Sequence, residues 1–365
     1  MLISHIVSAL ENFAPPALQE DYDNTGLILG NSSNECSGVM VAVDMTEAVV
    51  AEAVSEGCNM IVAHHPIIFK GIRRLNGSTP QQRAILAAIR NDIAVYACHT
   101  SLDSAPGGVS QRMASMLGLG SVTPLEPADG RMLRLQVFVP VDHADDVRMA
   151  LFDAGAGEIG NYDSCSYTLS GRGSFRALPG SDPFVGKPGE LHFENEECIQ
   201  VVLPVWRRRA VEAALLQVHP YEEPAYDFVS TLNALPHAGL GAVGNLPEPL
   251  TPAEIVGRVK EVFGSPVARC SDYPADARIR RVALCGGSGS SLIGRAISAG
   301  AAVMITSDVR YHDFVDYAND ILIIDIGHHE SENCSKSIIF DIISEKFPNF
   351  AVRNSQSDVN PIKYM

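Results

Sequence analysis

The sequence predicts an α/β fold: two pseudo-repeated α/β lobes forming one core, interrupted by a ferredoxin-like α+β insert. Three observations carry that expectation. Short apolar runs alternate with helical periods in two flanking stretches, the rhythm of parallel α/β structure. The stretches look like weak copies of each other, SEGCNMIVAHH at 55–65 matching SAGAAVMITSD at 298–308 by pattern. Near residue 130 the texture changes to alternating strands separated by many Gly and Pro turns. The expected division is an N-terminal lobe at 1–130, an insert at 131–234 and a C-terminal lobe at 235–365.

Residues 3–13 fit a helical period with Ile6, Ala9 and Leu10 on one side, and Pro15-Pro16 breaks it. An acidic, turn-rich loop at 21–26 precedes a short strand at 27–30. Residues 39–43 form a strand ending at Asp44; Thr46 caps a helix to about Glu56, and Gly57 stops it. The next strand, 59–63, ends in His64-His65. A loop with Lys70, Arg73 and Arg74 leads to a helix from about Pro80. Strand 93–98 ends in His99-Thr100-Ser101-Leu102-Asp103, and Gly107-Gly108 opens a helix to about Leu117. Ligands gather outside the carboxyl ends of strands in open α/β sheets, and both polar clusters emerge there.

In the middle segment 133–139 alternates as a half-buried strand should, 145–154 is helical, and a Gly-rich stretch occupies 155–189. Residues 199–203 form a second strand, 209–218 a second helix and 226–229 another strand. The first rhythm resumes after Gly239-Leu240-Gly241. Strand 282–285 runs into Gly286-Gly287-Ser288-Gly289, a tight strand-to-helix turn without the Lys-Ser/Thr ending of a P-loop. After a helix to Gly300, strand 302–306 ends in Ser307-Asp308, and a helix spans 311–318. Strand 321–324 ends in Asp325-Ile326-Gly327-His328-His329-Glu330-Ser331-Glu332, before a last helix to about Phe347.

The composition excludes some functions. The chain has 365 residues, 46% hydrophobic and 19% charged, with a formal charge of −16. That charge argues against a general nucleic-acid or anionic-membrane surface, while leaving room for a local basic patch. Eight scattered cysteines include no C-x-x-C pair and read as buried small hydrophobes. The N-terminus reads as an amphipathic helix rather than a signal peptide, and no apolar run is long enough to span a bilayer. A cytoplasmic protein is expected.

Six of the eleven histidines fall in three clusters: His64-His65, His99, and His312 with His328-His329. Neighbouring side chains at a strand end point in roughly opposite directions, so His64 and His65 suit two ions better than one. His328 and Glu332 are four apart where a helix begins, on one face. Asp103, four after His99, adds a carboxylate. A carboxylate bridging two cations gives a dinuclear site, with ions about 3.5–4 Å apart in two-metal enzymes. Imidazole with carboxylate suits zinc, iron, manganese, nickel or cobalt without choosing among them. Blander readings stand beside these. His99 also suits a backbone carbonyl, and Asp103 a helix cap or turn. His312 fits a proton donor or a surface helix; Lys70, Arg73 and Arg74 fit phosphate groups or a solvated loop.

Asp23-Asn24-Thr25-Gly26-Leu27, Ala63-His64-His65-Pro66, His99-Thr100-Ser101-Leu102-Asp103 and Gly327-His328-His329-Glu330-Ser331-Glu332, in that order, resemble the NGG-interacting-factor-like proteins, also called GTP cyclohydrolase I type 2 homologues. The likeness covers essentially the whole chain. The middle segment, with residues 155–162 and His219-Pro220-Tyr221-Glu222-Glu223-Pro224, looks like the PII- or CutA-like insert of longer members. The resemblance implies a centre of two divalent cations with His64, His65, Asp103, His328 and Glu332 as ligands, Glu332 bridging. It also implies a ring-shaped homohexamer with sites facing an inner cavity. His329 departs from the aromatic residue many members place there.

The family name implies GTP ring opening, for which His99 and His312 would shuttle protons and Lys70, Arg73 and Arg74 would contact phosphate. The broader expectation is metal-dependent hydrolysis of a nucleotide or other phosphorylated small molecule. The competing expectation is a non-catalytic metal-binding or small-molecule-sensing hexameric scaffold. Catalysis needs an open coordination position beside a polar pocket; a scaffold tolerates a closed ligand sphere.

Overall fold

The computed structural model describes residues 1–317 and 319–365. Residues 1–128 and 237–365 form one compact unit, and residues 129–236 another.

In the first unit, β2 (Val39–Ala42), β3 (Met60–Ala63) and β4 (Ala94–Ala97) run parallel, joined by helices α2 (Glu47–Ser55) and α3 (Pro80–Arg90). Every residue of these strands is buried, which is why they read as continuous apolar runs rather than alternating ones. The helix starts obey local chemistry: the Thr46 and Thr79 hydroxyls accept from the backbone N–H groups of Val49 and Gln82. β1 (Gly26–Leu29) closes one edge, antiparallel to β4.

The second lobe repeats the plan. β14 (Ile279–Ser288), β15 (Val303–Ser307) and β16 (Leu322–Asp325) are parallel, with α9 (Ile293–Ser298) and α10 (Tyr311–Tyr317) as crossovers. The expected end of α10 at Ala318 lies outside the described residues. β12 (Ala242–Leu250) and β13 (Arg269–Cys270) pair antiparallel on either side, with α8 (Pro252–Phe263) between them in sequence.

Each sheet is completed by the other half of the chain. β17 (Val352–Asn354) joins the N-terminal sheet parallel to β2, giving the order β1-β4-β3-β2-β17. β5 (Gly120–Thr123) joins the C-terminal sheet on β12, giving β13-β16-β15-β14-β12-β5. Each exchange covers an edge that would otherwise offer unpaired backbone groups. Helices α1 (Ile3–Phe13) and α5 (Val109–Met116) both pack against α12 (Cys334–Lys346). Short strands β6 (Glu126–Pro127) and β11 (Gly239–Leu240) pair where the chain leaves this unit and returns.

The other unit runs β7 (Met132–Pro140), α6 (Ala144–Asp153), β8 (Tyr167–Arg176), β9 (Leu191–Pro204), α7 (Arg208–Val218), β10 (Tyr226–Ser230). Its sheet order, β10-β7-β9-β8 with every pair antiparallel, is the ferredoxin-like arrangement. Leu135, Val137 and Val139 pack with Val147, Leu151, Val211 and Leu215 to make its core. β8 corrects the sequence reading, which left 155–189 without a strand. It is an edge strand, mostly exposed and holding Gly171 and Gly173, so it shows no burial alternation to read. β9 likewise extends well beyond 199–203.

Two further expectations are revised in the first unit. The last helix is broken at Asn333 into α11 (His328–Glu332) and α12. The residues in which strand 93–98 is expected to end form a short helix, α4 (His99–Ser104).

Candidate metal centre

Three strand ends of the first unit converge, with a fourth strand behind them. β3 runs directly into the double histidine, whose amides continue the ladder: His64 N–H donates to Ala42 at 3.0 Å and His65 N–H to Val43 at 3.0 Å. β4 leads into α4, and β16 into α11 through Gly327 at φ +91°. β14 passes behind at Gly286 and Gly287.

Fully buried His64 is the innermost group. Its Nε2 lies 3.7 Å from Asp103 Oδ1 and 3.7 Å from Glu332 Oε1. Both ring nitrogens of His64, and Asp103 Oδ1, are buried without a hydrogen-bond partner among the described residues. Separations of 3.7 Å are too long for hydrogen bonds and suit donors arranged around an ion. On the other side of the same carboxylate, Glu332 Oε2 lies 2.8 Å from His65 Nε2 and 2.9 Å from His328 Nε2. These two imidazole nitrogens are 3.3 Å apart. Ligating atoms of His64, His65 and Glu332 all fall within 4.8 Å of one another. Glu332, only 3% exposed, thus turns one oxygen to each side.

A ring of carboxylates orients the imidazoles. Asp44 lies 2.9 Å from His65 Nδ1, and Asp308 lies 2.6 Å from His328 Nδ1. Metal-ligating histidines usually make such a bond from the second nitrogen, which fixes tautomer and ring orientation. Asp308 reaches its place from φ +55°, a left-handed turn that aspartate tolerates better than most residues. Asp23 lies 2.7 Å from His99 Nδ1 and accepts from the N–H of Thr100 at 2.9 Å, from the Thr100 hydroxyl and from the N–H of Asn24.

The electrostatics follow. Burial opposes a charge on His65, but the Asp44 and Glu332 carboxylates outweigh it and raise its pKa to about 10. Glu332 likewise raises His328 to about 9, against its burial. Burial, helped by Glu332 and opposed by His64, pushes Asp103 up to about 7. Burial also works against ionisation of Glu332, yet the surrounding imidazoles hold it well below the usual carboxylate range. Without a cation, protons on His65 and His328 offset the charge of the carboxylates beside them. The donor set therefore fits a divalent cation: nitrogen and carboxylate donors converge, some lack a hydrogen-bond partner among the described residues, and His65 and His328 are braced from behind.

The family model for DUF34/NIF3 (NGG1p interacting factor 3) matches residues 1–361. The chain belongs to that family. A "GTP cyclohydrolase 1 type 2 homolog" of Halalkalibacterium halodurans is 40% identical over 326 residues, covering 89% of this chain and 87% of that protein. The protein of the same name from Bacillus subtilis is 34% identical, covering 99% of this chain and 98% of its own length. A Bacillus cereus protein related to NIF3 superposes with a TM-score of 0.88 at 34% identity, covering 100% of this chain and 99% of that one. A Staphylococcus aureus protein, SA1388, superposes at 0.78 with 26% identity over 100% of this chain.

In this DUF34/NIF3 chain His64, His65, Asp103, His328 and Glu332 meet in one cluster. The His99 ring lies 5.6 Å from that of His64 and 5.5 Å from that of His65. It meets Asp23 rather than a backbone carbonyl, and Asp103 caps no helix. His312 stands apart: it is exposed on α10 with its ring against Tyr311, and no described contact of the cluster involves it. Lys70, Arg73 and Arg74 are exposed around a concavity of about 550 Å³ that Phe69 also lines. The Phe69 ring lies 6.0 Å from that of His99 and 6.3 Å from that of Tyr22.

Sequence reasoning missed the roles of Asp23, Asp44 and Asp308, although each closes a strand or turn of the pattern. It also missed Gly287, at φ +63°, where a Cβ would collide with Glu332 Oε1 and stand 3.0 Å from its Cδ. The amides of the glycine run are satisfied within the protein. The amides of Gly286, Gly287 and Gly289 donate to the hydroxyls of Ser110, Ser331 and Thr306. Among the described residues, no helix is long and apolar enough to cross a membrane.

Proposed function

We propose that this chain is a dinuclear-metal hydrolase acting on a nucleotide or another phosphorylated small molecule. The observation that carries the reading is buried His64, with two partnerless nitrogens and two carboxylates at 3.7 Å. His64, Asp103 and Glu332 would hold one divalent cation, and His65, His328 and Glu332 the other. When bound, such a pair supplies Lewis acidity and lowers the pKa of water to about 7. Zinc, iron, manganese, nickel and cobalt all suit these donors.

The protein's own groups do the rest. Asp23 holds His99 through Nδ1, leaving Nε2, without a hydrogen bond among the described residues, to move a proton at a substrate heteroatom. Lys70, Arg73 and Arg74 bind phosphate oxygens, and Phe69 and Tyr22 offer rings on which a planar base stacks. Partial exposure of His65 and His328 leaves the centre open on one side, as turnover requires and storage does not. His312 keeps no step in this scheme. The reading includes a cytoplasmic homohexamer.

The test is metal analysis of purified protein beside a turnover screen of nucleotides and phosphorylated small molecules, for the parent and Asp103→Ala. About two divalent ions per chain and turnover of one compound are expected, both reduced in the variant. Metal retained without any turnover would instead favour a non-catalytic metal-binding or small-molecule-sensing scaffold.

A further inference from the structure

The ferredoxin-like unit holds a cavity of about 680 Å³, a size usual for small-molecule sites. Four aromatic residues share its lining, Phe138 on β7, Phe175 on β8, Phe184 on the loop after it and Tyr221 after α7, and the rings of the last three stand close to one another. The Phe175 and Tyr221 rings are 6.1 Å apart and tilted by 57°; Phe184 and Tyr221 are 6.3 Å apart at 49°. None of the three belongs to the apolar core of this unit, and Phe184 remains 50% exposed. These rings line a cavity instead of filling an interior.

Glu196, Glu222 and Glu223 share the lining, against Arg176 as the one basic residue among the described lining residues. The arrangement is braced. Tyr221 donates its hydroxyl to Glu196 Oε1 at 2.9 Å. Glu196 folds over Gly173, where a Cβ would stand 2.7 Å from its Cδ and push the carboxylate aside. The Tyr221 amide donates to His219 Nδ1 at 3.1 Å, while His219, 7% exposed, donates from Nε2 to the Phe138 carbonyl at 3.0 Å. Glu222 accepts the Asp182 amide at 3.0 Å, tying the loop of Phe184 to the same turn. The His219-Pro220-Tyr221-Glu222-Glu223 motif thus builds one wall of the cavity.

Aromatic faces attract cations within about 6 Å of the ring centroid, and a phenol donating to a carboxylate becomes richer in electron density. Three carboxylates against one guanidinium make the lining net negative, which disfavours an anion and favours a cation over a neutral guest of the same shape. Bare metal ions prefer oxygen cages to ring faces. We propose that this cavity binds a small organic cation of the alkylammonium class, its charged head among the rings of Phe175, Phe184 and Tyr221 and beside Glu196. The cavity shares no residue with the metal centre, and the proposal does not depend on hydrolase activity.

The experiment is calorimetric titration of the full-length protein with choline and with 3,3-dimethylbutan-1-ol, its neutral isostere, at physiological salt. Choline is expected to bind at least about tenfold more tightly than the alcohol, because one desolvated cation–ring contact is worth that much. Phe184→Leu and Glu196→Gln should each weaken choline about tenfold. Phe184 is half exposed, so its substitution leaves the fold intact, which a melting curve verifies. Tyr221→Phe keeps the ring, loses the bond to Glu196 and should weaken choline less than Tyr221→Leu. No binding at about 10 mM choline would overturn the proposal. Equal binding of the alcohol would do so too, marking an apolar cavity only. So would choline binding unchanged in both Phe184→Leu and Glu196→Gln, which would mark diffuse attraction to an acidic chain.

Discussion

Replacing Gly287 by alanine tests the geometry of the proposed metal centre without touching a ligand. Gly287 sits at φ +63°, where an L-residue costs roughly 1–2 kcal/mol. The added Cβ would lie well inside the 3.0 Å that real Cβ contacts keep from Glu332 Oε1. A long carboxylate usually swings away from such a clash cheaply. Glu332 cannot, being 3% exposed and held by His65 at 2.8 Å and His328 at 2.9 Å. The carboxylate must therefore shift by on the order of 1 Å, where metal sites tolerate only about 0.2 Å. Disturbing the groups that merely orient ligands already costs about 10–100-fold in affinity. Gly287→Ala should thus lose at least about 100-fold in cation affinity, about 2.8 kcal/mol, and lower metal-free stability by about 1–2 kcal/mol. Dye-competition titration with zinc and denaturant unfolding of the metal-free protein measure the two effects. Parental zinc affinity in the variant would refute the placement of Glu332 between two cations.

Protonation supplies a second test. His65 and His328, raised to about 10 and about 9, favour the folded metal-free protein below the unfolded value of about 6.5, and that contribution is lost as pH rises through about 9 to 10. Cations must expel those protons, so zinc affinity should climb between about pH 6 and 9 with proton release; an affinity flat over that range contradicts the assignment. Asp358, buried at 6% exposure, accepts from Val43 N–H at 2.7 Å and Asp44 N–H at 3.3 Å and pairs with Lys336 at 3.2 Å. Asp358→Ala strands that lysine and frees the turn carrying Asp44, for an expected loss of about 3–5 kcal/mol by denaturant unfolding; a loss below about 1 kcal/mol would show the tail to be dispensable. Arg73→Ala with Arg74→Ala should raise KM for a phosphorylated substrate about tenfold or more at unchanged metal content, and an unchanged KM would remove the basic loop from the substrate site.

Four of the five proposed ligands stood out in the sequence because their spacing is local. Strand β3 ends in two imidazoles, and the i, i+4 spacing of His328 and Glu332 puts both on one face wherever the helix sits. The resemblance of the ordered motifs supplied the rest of the set. Other features left little local trace. β8 carries no burial alternation because one side of the sheet ends there, and β17 is three residues long. Asp23, Asp44 and Asp308 resemble any turn aspartate until the rings of His99, His65 and His328 are brought to within 2.9 Å.

The sequence by itself determined the repeated strand–helix rhythm, the interruption by a second unit and the inventory of donor side chains, since periodicity and residue type are properties of neighbours along the chain. Only the tertiary structure decided that residues 64, 65, 103, 328 and 332 share one pocket, that Gly287 makes room for a carboxylate, and that the C-terminal tail holds Asp44 in place. Those facts depend on how two sheets exchange strands and pack. That packing is set by apolar burial summed over the whole first unit, which no short window of sequence contains.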